Sequence, residues 1–147
     1  GDFCSRYAEM DADTDIILVF GGTNDHGHGD APFGCDTDRT ADTFSGACHV
    51  LFSGLQYTYP QATIVVATPL HRAEEGLPKE GSGKLLRDYV DVIRSTAAQY
   101  HIPVLDLFET SAINLDTLDA LTTDGLHPND AGHRILAEEI GAFLQAL

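Results

Sequence analysis

The chain has 147 residues, of which 43% are hydrophobic and 21% charged. That size and balance fit one globular domain and argue against extended disorder. Its 23 acidic residues against 8 basic ones give a net charge of −15, which disfavours phosphate backbones and anionic membrane surfaces as partners.

Residues 3–10 read as the end of a helix. Residues 15–22, DIILVFGG, hold five consecutive apolar residues closed by two glycines, the pattern of a strand buried on both faces. Residues 25–40, with Gly27, Gly29, Pro32 and Gly34, read as a loop leaving the C-terminal end of that strand. In open α/β sheets this is the edge where ligands bind. Residues 40–59 place Phe44, Ala47, Cys48, Leu51, Leu55 and Tyr59 at helical spacing. Residues 63–69, TIVVATP, predict a second buried strand. Residues 84–100 predict a helix with Leu85, Tyr89, Val92, Ile93, Ala97 and Tyr100 on one face. Residues 103–108, PVLDLF, predict a third, shorter strand. A last helix is predicted over 128–147, with Pro128 at its start, where the missing N–H costs nothing. Strands alternating with helices predict a parallel sheet covered by helices on both faces.

Cys4, Cys35 and Cys48 are odd in number and irregular in spacing. They suggest reduced thiols, with a Cys35–Cys48 bridge the lesser alternative, and no zinc knuckle. No stretch approaches the roughly 20 apolar residues of a membrane-spanning helix. No signal peptide is visible. The compartment is left open, with a mild preference for the cytoplasm.

Two clusters could carry chemistry. In Asp124-Gly125-Leu126-His127-Pro128, an aspartate and a histidine lie three residues apart. A carboxylate on Nδ1–H fixes the tautomer of a general base and stabilises the imidazolium that forms. The bland reading is a helix-entry turn, which favours the same residues. In Gly22-Thr23-Asn24-Asp25, an asparagine follows a strand end. Its amide could stabilise an oxyanion, a contribution of roughly 2.7–4 kcal/mol, or the segment could be a plain turn.

Together the clusters resemble two blocks of the SGNH (GDSL-type) hydrolase family. Gly22-x-Asn24-Asp25 resembles the third block, whose asparagine donates to the oxyanion. Asp124-x-x-His127-Pro128 resembles the fifth, which holds the triad aspartate and histidine. The family's first block, Gly-Asp-Ser with the nucleophile, is missing, since Gly1-Asp2 is followed by Phe3. So is its second block, with a further oxyanion donor.

The resemblance implies a flavodoxin-like three-layer α/β/α fold with a parallel sheet, lacking the family's first two strands. Residues 1–147 would form the C-terminal two-thirds of a single hydrolase domain. When complete, the protein would be a serine-type esterase, lipase or acylhydrolase acting on small or sugar esters; the fragment alone would be inactive. It implies His127 and Asp124 as catalytic residues, Asn24 as oxyanion donor, and no metal or organic cofactor. Gly22, Asp25, His71 and Arg72 are weaker candidates for the substrate cleft, the last two reading first as exposed loop residues. The strand at 16–20 would have an exposed apolar edge, inviting a missing N-terminal segment or self-association. A non-catalytic binding module on the same scaffold is the alternative. His26-Gly27-His28 is a weak candidate for metal binding. His49 and His101 read as structural and His133 as a surface residue of the last helix.

Overall fold

The computed structural model describes residues 2–147. Helix α1 spans Phe3–Arg6 and is capped by Asp2, whose carboxylate accepts from Ser5 N. A 3₁₀ turn, Tyr7–Glu9, follows. Strand β1 is Ile16–Phe20, β2 is Thr63–Ala67 and β3 is Val104–Leu105. They pair in parallel in the order β1-β2-β3, with Ile17 opposite Ile64 and Ala67 opposite Leu105.

Alternate residues of a strand face opposite ways, and the two faces meet different helices. Ile17, Val19, Ile64 and Val66 pack against helix α3, Phe44–Thr58, and helix α4, Leu86–Gln99. The other face sets Leu18, Phe20, Ala67 and Leu105 against Ile135, Leu136, Ile140 and Phe143 of helix α7, Asp130–Gln145. The result is the expected three-layer α/β/α arrangement around a parallel sheet.

Each long helix begins where its sequence supplies a cap. Thr43 accepts from Gly46 N at 3.0 Å to start α3. Leu85 N donates to Asp88 Oδ2 at 2.8 Å ahead of α4. Asn129 Oδ1 accepts from Gly132 N at 3.0 Å, so α7 starts after Pro128 and not at it. Such caps satisfy backbone donors that the first helical turn leaves free.

Three further expectations need correction. First, β1 is not buried on both faces: only Ile17 is fully buried, and Ile16 is 50% exposed. Among the described residues β1 pairs with β2 alone, so its far edge is open, whereas the central β2 is buried from Ile64 to Ala67. Second, the segment 25–40 is not all loop, because Thr23–His28 forms helix α2. Gly22 enters it at φ +101, where a Cβ would also lie 2.9 Å from Ile93 Cδ1, so only glycine fits that turn. Third, β3 stops at Leu105. Asp106 leaves the ladder to accept from Arg94 Nε and Nη2, at 2.7 and 2.8 Å, and from Thr68 Oγ1 at 3.0 Å. Its side chain also caps the short helix α5, Leu107–Thr110. Helix α6, Leu118–Leu121, completes the chain order before α7.

Candidate active site

The C-terminal ends of β1 and β2 deliver two segments to one rim. Beyond β1, the glycine turn presents α2, with Asn24 on its first turn and exposed to solvent. Gly22, Asn24 and Asp25 line an open hollow of about 510 Å³ bounded by apolar residues that include Phe3, Phe20 and Phe52. Withdrawal from water among these walls raises the pKa of Asp25, although part of its side chain reaches solvent.

Asp124 and His127 stand on the turn before α7, outside the wall of that hollow. The turn is closed by Thr123 N donating to His127 O at 2.9 Å and Gly125 N to Thr122 Oγ1 at 2.9 Å. Gly125 sits at φ +78, a conformation that favours glycine. The Asp124 carboxylate accepts from His127 N at 2.8 Å and Leu126 N at 3.0 Å, and its Oδ2 lies 2.7 Å from His127 Nδ1. The backbone bond from His127, then the bond from its ring, lowers the Asp124 pKa to about 2. An ionised Asp124 can only accept, so Nδ1 carries a proton and, in the neutral ring, the lone pair is on Nε2. His127 is 70% exposed, leaving that lone pair open to a reactant.

The depressed pKa has a checkable consequence. The folded carboxylate holds its charge more tightly than in an unfolded chain. The charged carboxylate's support of the turn, through the bonds it accepts from the His127 backbone and ring, is therefore fully present above pH 3.8 and is lost as pH falls through about 2. A carboxyl ¹³C titration of Asp124 should give a midpoint near 2. A midpoint at the ordinary 3.8 would mean that the bonds to the His127 backbone and ring are not made in solution.

The segment after β2 joins the two clusters. Arg72 Nη1 donates to Thr23 O at 2.9 Å and to Thr23 Oγ1 at 3.2 Å, one residue from Asn24. Next along the chain, Ala73 N donates to Gly125 O at 2.8 Å, inside the Asp124–His127 turn. His71 and Arg72 are part-buried, not the exposed loop residues expected, and neither lines the hollow. His71 Nδ1 meets Glu75 Oε1 at 2.9 Å, and its ring stacks on Phe108 with centroids 4.0 Å apart. Glu75 also accepts from Arg72 N at 3.0 Å. One carboxylate thus folds both residues inward.

The remaining histidines divide by burial. His26 is fully buried edge-on to Tyr89, with centroids 5.9 Å apart. Burial, then the charges of Arg72 and Lys79, lowers its pKa. His28, two residues on, is exposed. Among the described residues no group of three or more His, Cys, Asp or Glu side chains is placed to hold a metal ion. His49 is buried between Tyr100 and Asp36, while His101 and His133 are exposed. All three cysteines are free thiols, and burial pushes the Cys48 pKa far up.

Similarity to known proteins follows the same outline. A curated relative, a GDSL lipase from Mycobacterium tuberculosis, is 27% identical over 133 residues, covering 90% of this chain and 51% of the relative. The chain thus spans about half the length of that curated relative. A crystal structure of a Lactobacillus plantarum protein superposes with a TM-score of 0.87 at 32% identity, covering 97% of this chain and 72% of that one. An acetyl xylan esterase superposes at TM-score 0.66 and 20% identity, covering 97% of this chain and 75% of its own, a likeness of fold. The model of the GDSL-like lipase/acylhydrolase family matches residues 4–135. With that match running from α1 into α7, through both polar clusters, this chain belongs to the GDSL-like lipase/acylhydrolase family.

Proposed function

We propose that this chain is the C-terminal two-thirds of one serine-type ester hydrolase domain, acting on small neutral or sugar esters once a nucleophile-bearing segment joins it. The observation that carries this reading is the Asp124–His127 pair, 2.7 Å from Oδ2 to Nδ1, with the rest of the imidazole open to solvent.

In the proposed reaction a serine hydroxyl from the added segment attacks the ester carbonyl. His127 Nε2 takes the hydroxyl proton, and Asp124 holds the resulting imidazolium. The amide of Asn24 donates to the tetrahedral oxyanion. His127 then returns the proton to the leaving alcohol. Water, deprotonated by the same imidazole, releases the acid and restores the serine. Each step is a proton or acyl transfer among these groups. Asp25 and Asp30 line the hollow and the net charge is −15. Both favour uncharged acyl and alcohol groups over anionic ones.

The open edge of β1 suits the added segment. Its unpaired backbone groups can accept one more parallel strand, which would bring a serine at its C-terminal end to the rim that carries Asn24. The test compares p-nitrophenyl acetate hydrolysis by these 147 residues with that by the longer protein. The longer protein should turn over the ester and lose that activity to a serine-directed phosphonate, while the 147 residues alone stay at background. Equal phosphonate-sensitive turnover by the short chain would contradict the proposed source of the nucleophile. Light scattering on the short chain should show self-association, since an exposed apolar edge pairs with copies of itself when no other strand covers it.

A further inference from the structure

We infer that Arg72 is a positioning residue that sets the Asn24 carboxamide against the Asp124–His127 pair; this deepens the hydrolase reading above and rests on it. The two clusters are 100 residues apart in the chain and share no direct bond. The Arg72-Ala73 dipeptide touches both. Arg72 Nη1 holds the carbonyl and hydroxyl of Thr23, and Ala73 N holds the carbonyl of Gly125. A Cβ on Gly125 would come 2.8 Å from Ala73 Cβ, so that side of the clamp is already at contact.

The guanidinium is committed to this task. It lies against Gly27 on the next turn of α2, where a Cβ would sit 2.9 Å from Nη1, 3.4 Å from Nη2 and 3.5 Å from Cζ. Only the hydrogen of a glycine lets it approach so closely. Its Nε is buried without a hydrogen-bond partner, and among the described residues no carboxylate lies within the 4.0 Å of an ion pair. A cation partly withdrawn from water with no counter-ion is costly. Here its donors go to the residue beside Asn24.

The arrangement accounts for two otherwise unremarked residues. Gly27 is needed for the space it leaves, and Glu75 turns Arg72 inward by accepting its backbone N–H at 3.0 Å. Loss of the clamp should free α2 to shift relative to the histidine turn without removing any reacting group. Misplacement on the scale of about 1 Å can cost about 10²-fold in rate.

The experiment is a double-mutant cycle in the longer, nucleophile-bearing protein, reading kcat and KM separately on p-nitrophenyl acetate. Arg72→Met should lower kcat about 10- to 100-fold with KM changed by less than about twofold. Arg72→Lys, which keeps a cation able to reach the Thr23 carbonyl, should recover most of the loss. In an Asn24→Ala background Arg72→Met should cost less than about twofold, because the residue it positions is gone. Gly27→Ala guards against a folding failure of Arg72→Met. Alanine is the better helix former, so the melting temperature should hold or rise while kcat falls as it does for Arg72→Met. Additive losses in the cycle, or a change in KM alone, would overturn the role of Arg72 and leave that of Asn24 standing. An Asn24→Ala variant with unchanged kcat would remove the oxyanion assignment itself, and this inference with it.

Discussion

Replacing His127 by alanine in the nucleophile-bearing protein should lower kcat for ester hydrolysis by about a million-fold. Losing the histidine of a catalytic triad costs about as much as losing all three members, because nothing then takes the proton of the serine hydroxyl and nothing protonates the leaving alcohol. The size of the effect follows from the place of His127 in every proton transfer proposed. It accepts from the serine, donates to the alcohol, and activates the water. Asp124→Asn should fall short of that, at about 10⁴-fold. An amide there keeps only one oxygen, whereas the carboxylate uses Oδ1 to accept from His127 N and Leu126 N at 2.8 and 3.0 Å and Oδ2 to meet the ring at 2.7 Å. The ordering is the stringent part: His127→Ala should be the larger loss, and KM should move little in either variant. Steady-state kinetics together with circular dichroism and thermal melting of each variant separate lost chemistry from lost folding. Equal, small losses from both would mean that the pair serves only as a helix-entry turn.

Asn24→Ala should lower kcat about 10²- to 10³-fold, the cost of removing one oxyanion donor. The loss should appear in kcat and not in KM, since the bond strengthens as negative charge develops on the ester oxygen. Fold stability should be unaffected, because Asn24 is exposed and makes no side-chain hydrogen bond in the helix that carries it. Asn24→Asp is the sharper variant. It keeps the shape and replaces a donor by a charge that repels the oxyanion, so it should be at least as damaging as alanine. A kcat within about twofold of wild type for either variant would exclude an oxyanion role.

Much of this was legible in the chain, for physical reasons that differ by element. The long helices declare themselves because Leu51 and Leu55, or Tyr89 and Ile93, must recur every three to four residues to reach one face of the sheet. β2 declares itself because a central strand needs an unbroken apolar run. The Asp124–His127 pair is local, and three residues of spacing suffice to imply the contact. Helix α2 was hidden because its six residues, TNDHGH, are poor helix formers. It persists through the left-handed entry at Gly22 and the burial of His26, neither of which leaves a periodic trace. β3 ended early because Asp106 is engaged by Arg94 and Thr68, contacts set by the packed sheet. The bond from Arg72 to Thr23 spans 49 residues, and a loop arginine carries no pattern that announces its partner.

Convergence of the carboxamide of Asn24 and the imidazole of His127 on one reacting carbon underlies the whole reading. The most direct test is a crystal structure of the longer protein after reaction with a p-nitrophenyl phosphonate ester, whose tetrahedral phosphorus stands in for the acyl carbon. The expected adduct has a serine oxygen on phosphorus, the Asn24 amide donating to the phosphoryl oxygen, and His127 Nε2 within hydrogen-bond reach of the serine oxygen or the departing-group position. An adduct that forms away from this rim, or one at the rim that neither side chain touches, would contradict the account.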